Sequence, residues 1–140
     1  MISILLCIFL FILSAIWALI SGITEGILYS RKGSDAFKWN IHRVYSIQRV
    51  TIGLMLIVCY FCGDFRLNTF IYLIGSCILA WNLFHDGAYY ETRRRIDTPE
   101  YHWYSDTPTT TAILNFSFTL RFSLAVAGLM LLLLTIARVI

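Results

Sequence analysis

Two histidines and two carboxylates fall at the ends of apolar runs, where they could meet. Glu25 closes the first run, His42 opens the second, and the adjacent pair His85 and Asp86 ends the third. Two imidazoles with one or two carboxylates suit a divalent metal such as zinc, iron or manganese, and an open coordination position would allow catalysis. A carboxylate beside each histidine would fix its tautomer. The same four side chains also fit an internal network. In that arrangement Glu25 pairs with Arg49 or Arg121, His85 caps its helix, and Asp86 answers Arg93 or Arg94. The spacing matches neither H-E-x-x-H nor the Glu-x-x-His pair of di-iron bundles. His85 and Asp86 point about 100° apart on a helix, so both can ligate one ion only if the helix stops there. Glu91, His102 and Asn115 are weaker candidates to join the group.

The arginines raise a second chemistry. Arg49 and Arg121 stand inside apolar surroundings, and an arginine there needs an anion. A lipid phosphate is one source, strengthened by the run Arg93, Arg94 and Arg95. The triple arginine also reads simply as an orientation anchor.

These residues must be positioned by a chain of 140 residues that is 59% hydrophobic and 14% charged, with a mean hydropathy of +0.73. A soluble domain this small cannot bury so much apolar surface, so the expected solvent is lipid. The expected fold is all-α: a polytopic membrane protein, with four transmembrane helices in an antiparallel bundle under a polar cytoplasmic cap. The helices are expected at about 2–25, 37–62, 67–86 and 110–140, with the cap at 87–109 and a single domain throughout. Gly87 reads as the stop of the third helix. Asp97-Thr-Pro and Asp106-Thr-Pro read as turns or helix starts. The last run is longer than one crossing, and its lipid-spanning part is expected at about 118–137.

That topology gathers Glu25, His42, His85 and Asp86 at one membrane level. It also places nine arginines and lysines on their side against two on the other. The basic side is expected to be cytoplasmic, with both termini outside the cytoplasm. The chain is then a multi-pass protein of the cell membrane. Its expected partners are lipids, a second copy or another membrane protein. A net charge of +3, placed beside hydrophobic runs, is no nucleic-acid signature.

Four cysteines, Cys7, Cys59, Cys62 and Cys77, all lie in apolar runs and read as small buried hydrophobes. Cys59-Tyr-Phe-Cys62 in a four-helix bundle resembles the membrane thiol oxidases that pass electrons to quinone. That family needs a second cysteine pair in an exposed loop, and the link 63–66 has none. Walker, nucleophile-elbow and dinucleotide signatures are absent, so no enzyme class is assigned. The reading reached from sequence is a membrane-face polar cluster that binds metal or addresses lipid. The alternative is a non-enzymatic scaffold or subunit.

Overall fold

Long apolar runs without proline leave the backbone one way to satisfy its polar groups without water, the helix. The computed structural model describes residues 2–30, 49–50, 52–53, 67–106 and 116–139. Three helices account for most of them: α1 (Ile2–Ser30), α2 (Leu67–Ile96) and α3 (Phe118–Val139). All three are long and apolar enough to cross a membrane, over Ile4–Ser30, Leu67–Ile96 and Phe118–Ala137. The last of these matches the span expected at 118–137. The described residues give three such helices and do not support four. The helix expected at 37–62 lies outside the described residues except for Arg49, Val50, Ile52 and Gly53, whose backbone is helical.

Two expected helix ends are corrected. The first helix does not finish at 25 but runs to Ser30. The third does not stop at Gly87 but continues to Ile96, so the cap does not begin at 87. A glycine costs a helix about 1 kcal/mol, less than the several kcal/mol for each backbone group left unsatisfied in an apolar medium. Gly87 serves packing instead: a Cβ there would collide with the Trp103 indole. The helix ends instead at Asp97-Thr-Pro, one of the two places expected to be a turn or a helix start. The Asp97 and Thr98 amides both donate to the Arg93 carbonyl, at 3.0 and 2.9 Å, and Pro99 disfavours helix in the residue before it.

α2 lies between the other two helices and packs against both. Cys7 and Leu10 of α1 meet Leu73 and Cys77 early in α2. Gly22 and Gly26 meet α2 near its end, at His85, Ala88, Tyr89 and Thr92. The two helices therefore run parallel. α3 runs the other way: Gly128 touches Ser76 and Ala80, and Leu132 joins the Leu73 and Cys77 cluster. Cys7 and Cys77 are buried free thiols, used as small apolar groups. Away from the packed faces, Leu5, Phe9, Ile12, Ile16, Ile20, Ile23 and Ile27 leave an exposed stripe along α1. Their spacing of three and four residues marks one helical face, and a stripe this long suits contact with lipid better than water. Hydroxyls in the helices bond back to their own carbonyls, as Thr24 does to Ile20, Ser76 to Leu73, Thr92 to Ala88 and Thr135 to Leu131, at 2.7–2.8 Å.

The closest approach of α1 and α2 is at Gly22-Ile-Thr-Glu-Gly26. A Cβ on Gly22 would strike the His85 carbonyl, and one on Gly26 would sit 2.8 Å from the Thr92 Cβ. Small residues four apart let two helix backbones touch, the G-x-x-x-G arrangement of membrane helix pairs. Gly22→Val is expected to cost about 1–3 kcal/mol of stability through overpacking, read as a lower melting temperature of the detergent-solubilised protein. Gly75→Ala is the control. Its Cβ would meet only the Leu131 Cδ1 at 3.4 Å, an ordinary contact, and the melting temperature should hold or rise.

Candidate functional site

The parallel pairing of α1 and α2 brings Glu25, which directly precedes Gly26, level with His85. Both are buried, with side chains 8% and 7% exposed. The His85 Nδ1 lies 2.8 Å from the Asp86 Oδ1, and its Nε2 lies 3.3 Å from the Glu25 Oε2. Arg49 reaches the same ring edge: its Nη2 is 3.2 Å from the His85 Nε2 and 3.9 Å from the Glu25 Oε1. The indole of Trp81, one turn before His85, stacks on the imidazole with centroids 6.0 Å apart. The Arg49 guanidinium lies over the same indole, 5.5 Å from its centroid. The ring is thus held by an acid at each nitrogen, an aromatic face and a guanidinium.

Three of the four expected cluster residues, Glu25, His85 and Asp86, are brought together. His42 lies outside the described residues, as do Asn115, Cys59 and Cys62. Of the two expected pairings for Glu25, Arg49 is the one found. Asp86 answers His85 rather than Arg93 or Arg94.

Among the described residues, no group of three or more His, Cys, Asp or Glu is arranged to hold a metal ion. The geometry explains this. The two carboxylates flank opposite nitrogens of one ring, so their oxygens do not converge on a common point. The α2 helix also continues through Asp86, which removes the condition under which adjacent residues could share an ion. A guanidinium stands where a cation would approach Nε2.

The weaker candidates serve other structures. Glu91 accepts from Arg94 at 2.8 and 2.6 Å and from Arg95 at 2.9 Å. Arg93 donates to the Asp97 carboxylate, the Tyr89 hydroxyl and the Thr98 hydroxyl, at 2.8, 3.1 and 3.1 Å. Most of the triple arginine is therefore spent within the chain. His102 is exposed and stacks on Tyr104, 5.1 Å between centroids. Sequence reasoning overlooked Gly22, Gly26 and Trp81. The first two carried a readable signal in their spacing. Trp81 had one too, lying four residues before His85.

At the cap, loss of hydration pushes the Asp97 carboxyl up. The hydrogen bonds from Arg93 and Thr98, with the Arg93 charge, outweigh it and leave the group below its ordinary value. A carboxyl lowered in the folded state adds stability above its unfolded value, and that stability fades as pH falls through the folded value. The cap should therefore loosen in acid below about pH 4, seen as faster amide exchange over residues 97–106. Asp97→Asn should show the looser cap already at neutral pH and lose the acid dependence. Because the pair is partly exposed and screened by solvent, the effect is small. No family model, no curated protein and no solved structure matches this chain.

Proposed function

We propose that this chain is a small multi-pass membrane protein whose Glu25–His85–Asp86 cluster takes up and releases a proton near one membrane face, with Arg49 as the group that responds. The supporting observation is the position of the His85 Nε2, contested by two incompatible partners at nearly equal distance: Glu25 at 3.3 Å and Arg49 at 3.2 Å. A neutral ring that donates from Nδ1 to Asp86 has a lone pair at Nε2, which accepts from Arg49. A protonated ring donates from both nitrogens, to Asp86 and Glu25, and repels the guanidinium.

Charge counting favours the same reading. Glu25 and Asp86 carry two negative charges against one positive charge on Arg49, which leaves −1 with a neutral ring and 0 with a protonated one. In a weakly solvated setting an uncompensated buried charge is costly, and one proton is the smallest ion that removes it. The Arg49 side chain is 44% exposed, so it can leave Nε2 for water or headgroups at little cost. Ionisable groups in candidate membrane spans commonly mark such proton-linked sites. A bound metal is not needed to balance the cluster.

Nitrogen-15 spectra of histidine-labelled protein in lipid nanodiscs test this reading, with His85→Asn assigning the signal. The expected result is one imidazole that passes from the Nδ1–H neutral form to the doubly protonated form between about pH 8 and pH 5, and whose titration moves in Glu25→Gln. An imidazole locked in one state across that range would overturn the reading. So would stoichiometric zinc, iron or manganese in elemental analysis that disappears with His85→Asn.

A further inference from the structure

The first turn of α3 holds an arginine in a setting unlike that of any other described cation. Arg121 is 0% exposed and is the largest fully buried side chain. Its Nη2 donates to the Ser105 carbonyl at 2.6 Å. Its Cζ lies 5.3 Å from the Tyr90 ring centroid and 5.7 Å from that of Phe118. Among the described residues its Nε and Nη1 have no hydrogen-bond partner. Among the described residues no carboxylate comes within ion-pair distance of it. The nearby acids are committed elsewhere: Asp86 to His85, and Asp106 to the Phe118 amide.

Aromatic faces and one carbonyl offset only part of what a guanidinium loses with its water. A cation–π contact returns less than the burial of an ion costs. The two unspent N–H donors widen the gap. The deficit is specific. It calls for a negative oxygen acceptor that takes Nε–H and Nη2–H together along the side edge of the guanidinium, in place of the single carbonyl that Nη2 now reaches.

We propose that Arg121 is the binding cation of a phosphoryl oxyanion, drawn in at the membrane face beneath the cap, with Tyr90 and Phe118 as the aromatic walls. Phosphate oxygens match a guanidinium fork in geometry and charge, which a neutral carbonyl cannot do. The Ser105 carbonyl holds the place that one of those oxygens takes. Ser105 lies at the end of the short cap 97–106, which is fastened to α2 by Trp103 against Gly87 and closed internally by the Ser105 amide on the His102 carbonyl. Binding therefore exchanges the Ser105 contact for a charged one. The arginines that sequence suggested for this role, Arg93, Arg94 and Arg95, are already paired with Asp97 and Glu91. The proposal stands apart from the proton chemistry at His85, since it uses none of the same donors.

The test measures the melting temperature and ligand retention of the full chain in phosphate-free maltoside micelles, in the same micelles with phosphatidylglycerol, and in the first set with added inorganic phosphate. Stabilisation by phosphatidylglycerol alone identifies an anionic lipid headgroup, and stabilisation by inorganic phosphate identifies the free ion. Either supports the site, and a wild-type protein indifferent to both overturns it. Arg121→Gln should weaken the effective ligand about ten- to a hundredfold, with Arg121→Lys intermediate because it keeps the charge and loses the fork. The double variant Arg94→Gln with Arg95→Gln should leave binding intact. If that variant abolishes the response while Arg121→Gln retains it, the assignment to Arg121 fails. Should Arg121→Gln not fold, the wild-type arms and the Arg94/Arg95 variant still decide.

Discussion

The contact between the α1 and α2 backbones at Gly22 and Gly26 is the constraint on which the chemistry of this chain depends. Helices that meet through larger side chains lie 8–10 Å apart, and bulk at these two positions would push Glu25 away from the His85 edge. Two glycines on one face remove that spacing. Glu25, between them in sequence, is then carried to the His85 edge. The glycine contact is steric and needs no charge. It would hold the helices together whatever the state of the ring.

Around His85 the surroundings are arranged as a competition. Each nitrogen has an acid, and one has a guanidinium as well. A site made only of acids would hold a proton or a metal permanently. A site made only of a histidine and an arginine would stay neutral. The mixture gives Nε2 one partner that suits a neutral ring and one that suits a protonated ring. Trp81 fixes the plane in which the choice is made by stacking on both the imidazole and the guanidinium.

The second polar centre, at Arg121, is built differently. It is enclosed by aromatic rings and a backbone carbonyl, and no acid answers it among the described residues. The cap between α2 and α3 ties the two centres to one face of the helices. Its aromatic residues, Tyr101 and Trp103, pack on Tyr90 and Gly87, so the cap rests on the same α2 turns that present His85 and Asp86. Of the triple arginine, Arg93 binds the cap through Asp97 and Thr98, and Arg94 and Arg95 share Glu91. A charge run that looks like an open basic patch is thus largely internal bookkeeping.

The helical, lipid-facing character of the chain was legible from residue order, because hydropathy over about 20 residues is a local property that neighbours cannot overrule. The same holds for the turn at Asp97-Thr-Pro, where proline acts on the residue beside it, and for the 118–137 span, but not for the end of α2, which was expected at Gly87. Convergence of Glu25 with His85 and Asp86 was also foreseeable, since helix ends at one level follow from counting turns. What could not be read was which partner each charge takes. Asp86 chose His85 over Arg93, Arg121 was left without an acid among the described residues, and Gly87 became a seat for Trp103 instead of a helix end. Those outcomes depend on rotation about each helix axis and on distances of an ångström or two. Only the packing of three helices sets these, because pairing energies among buried charges change more over that distance than any local preference can.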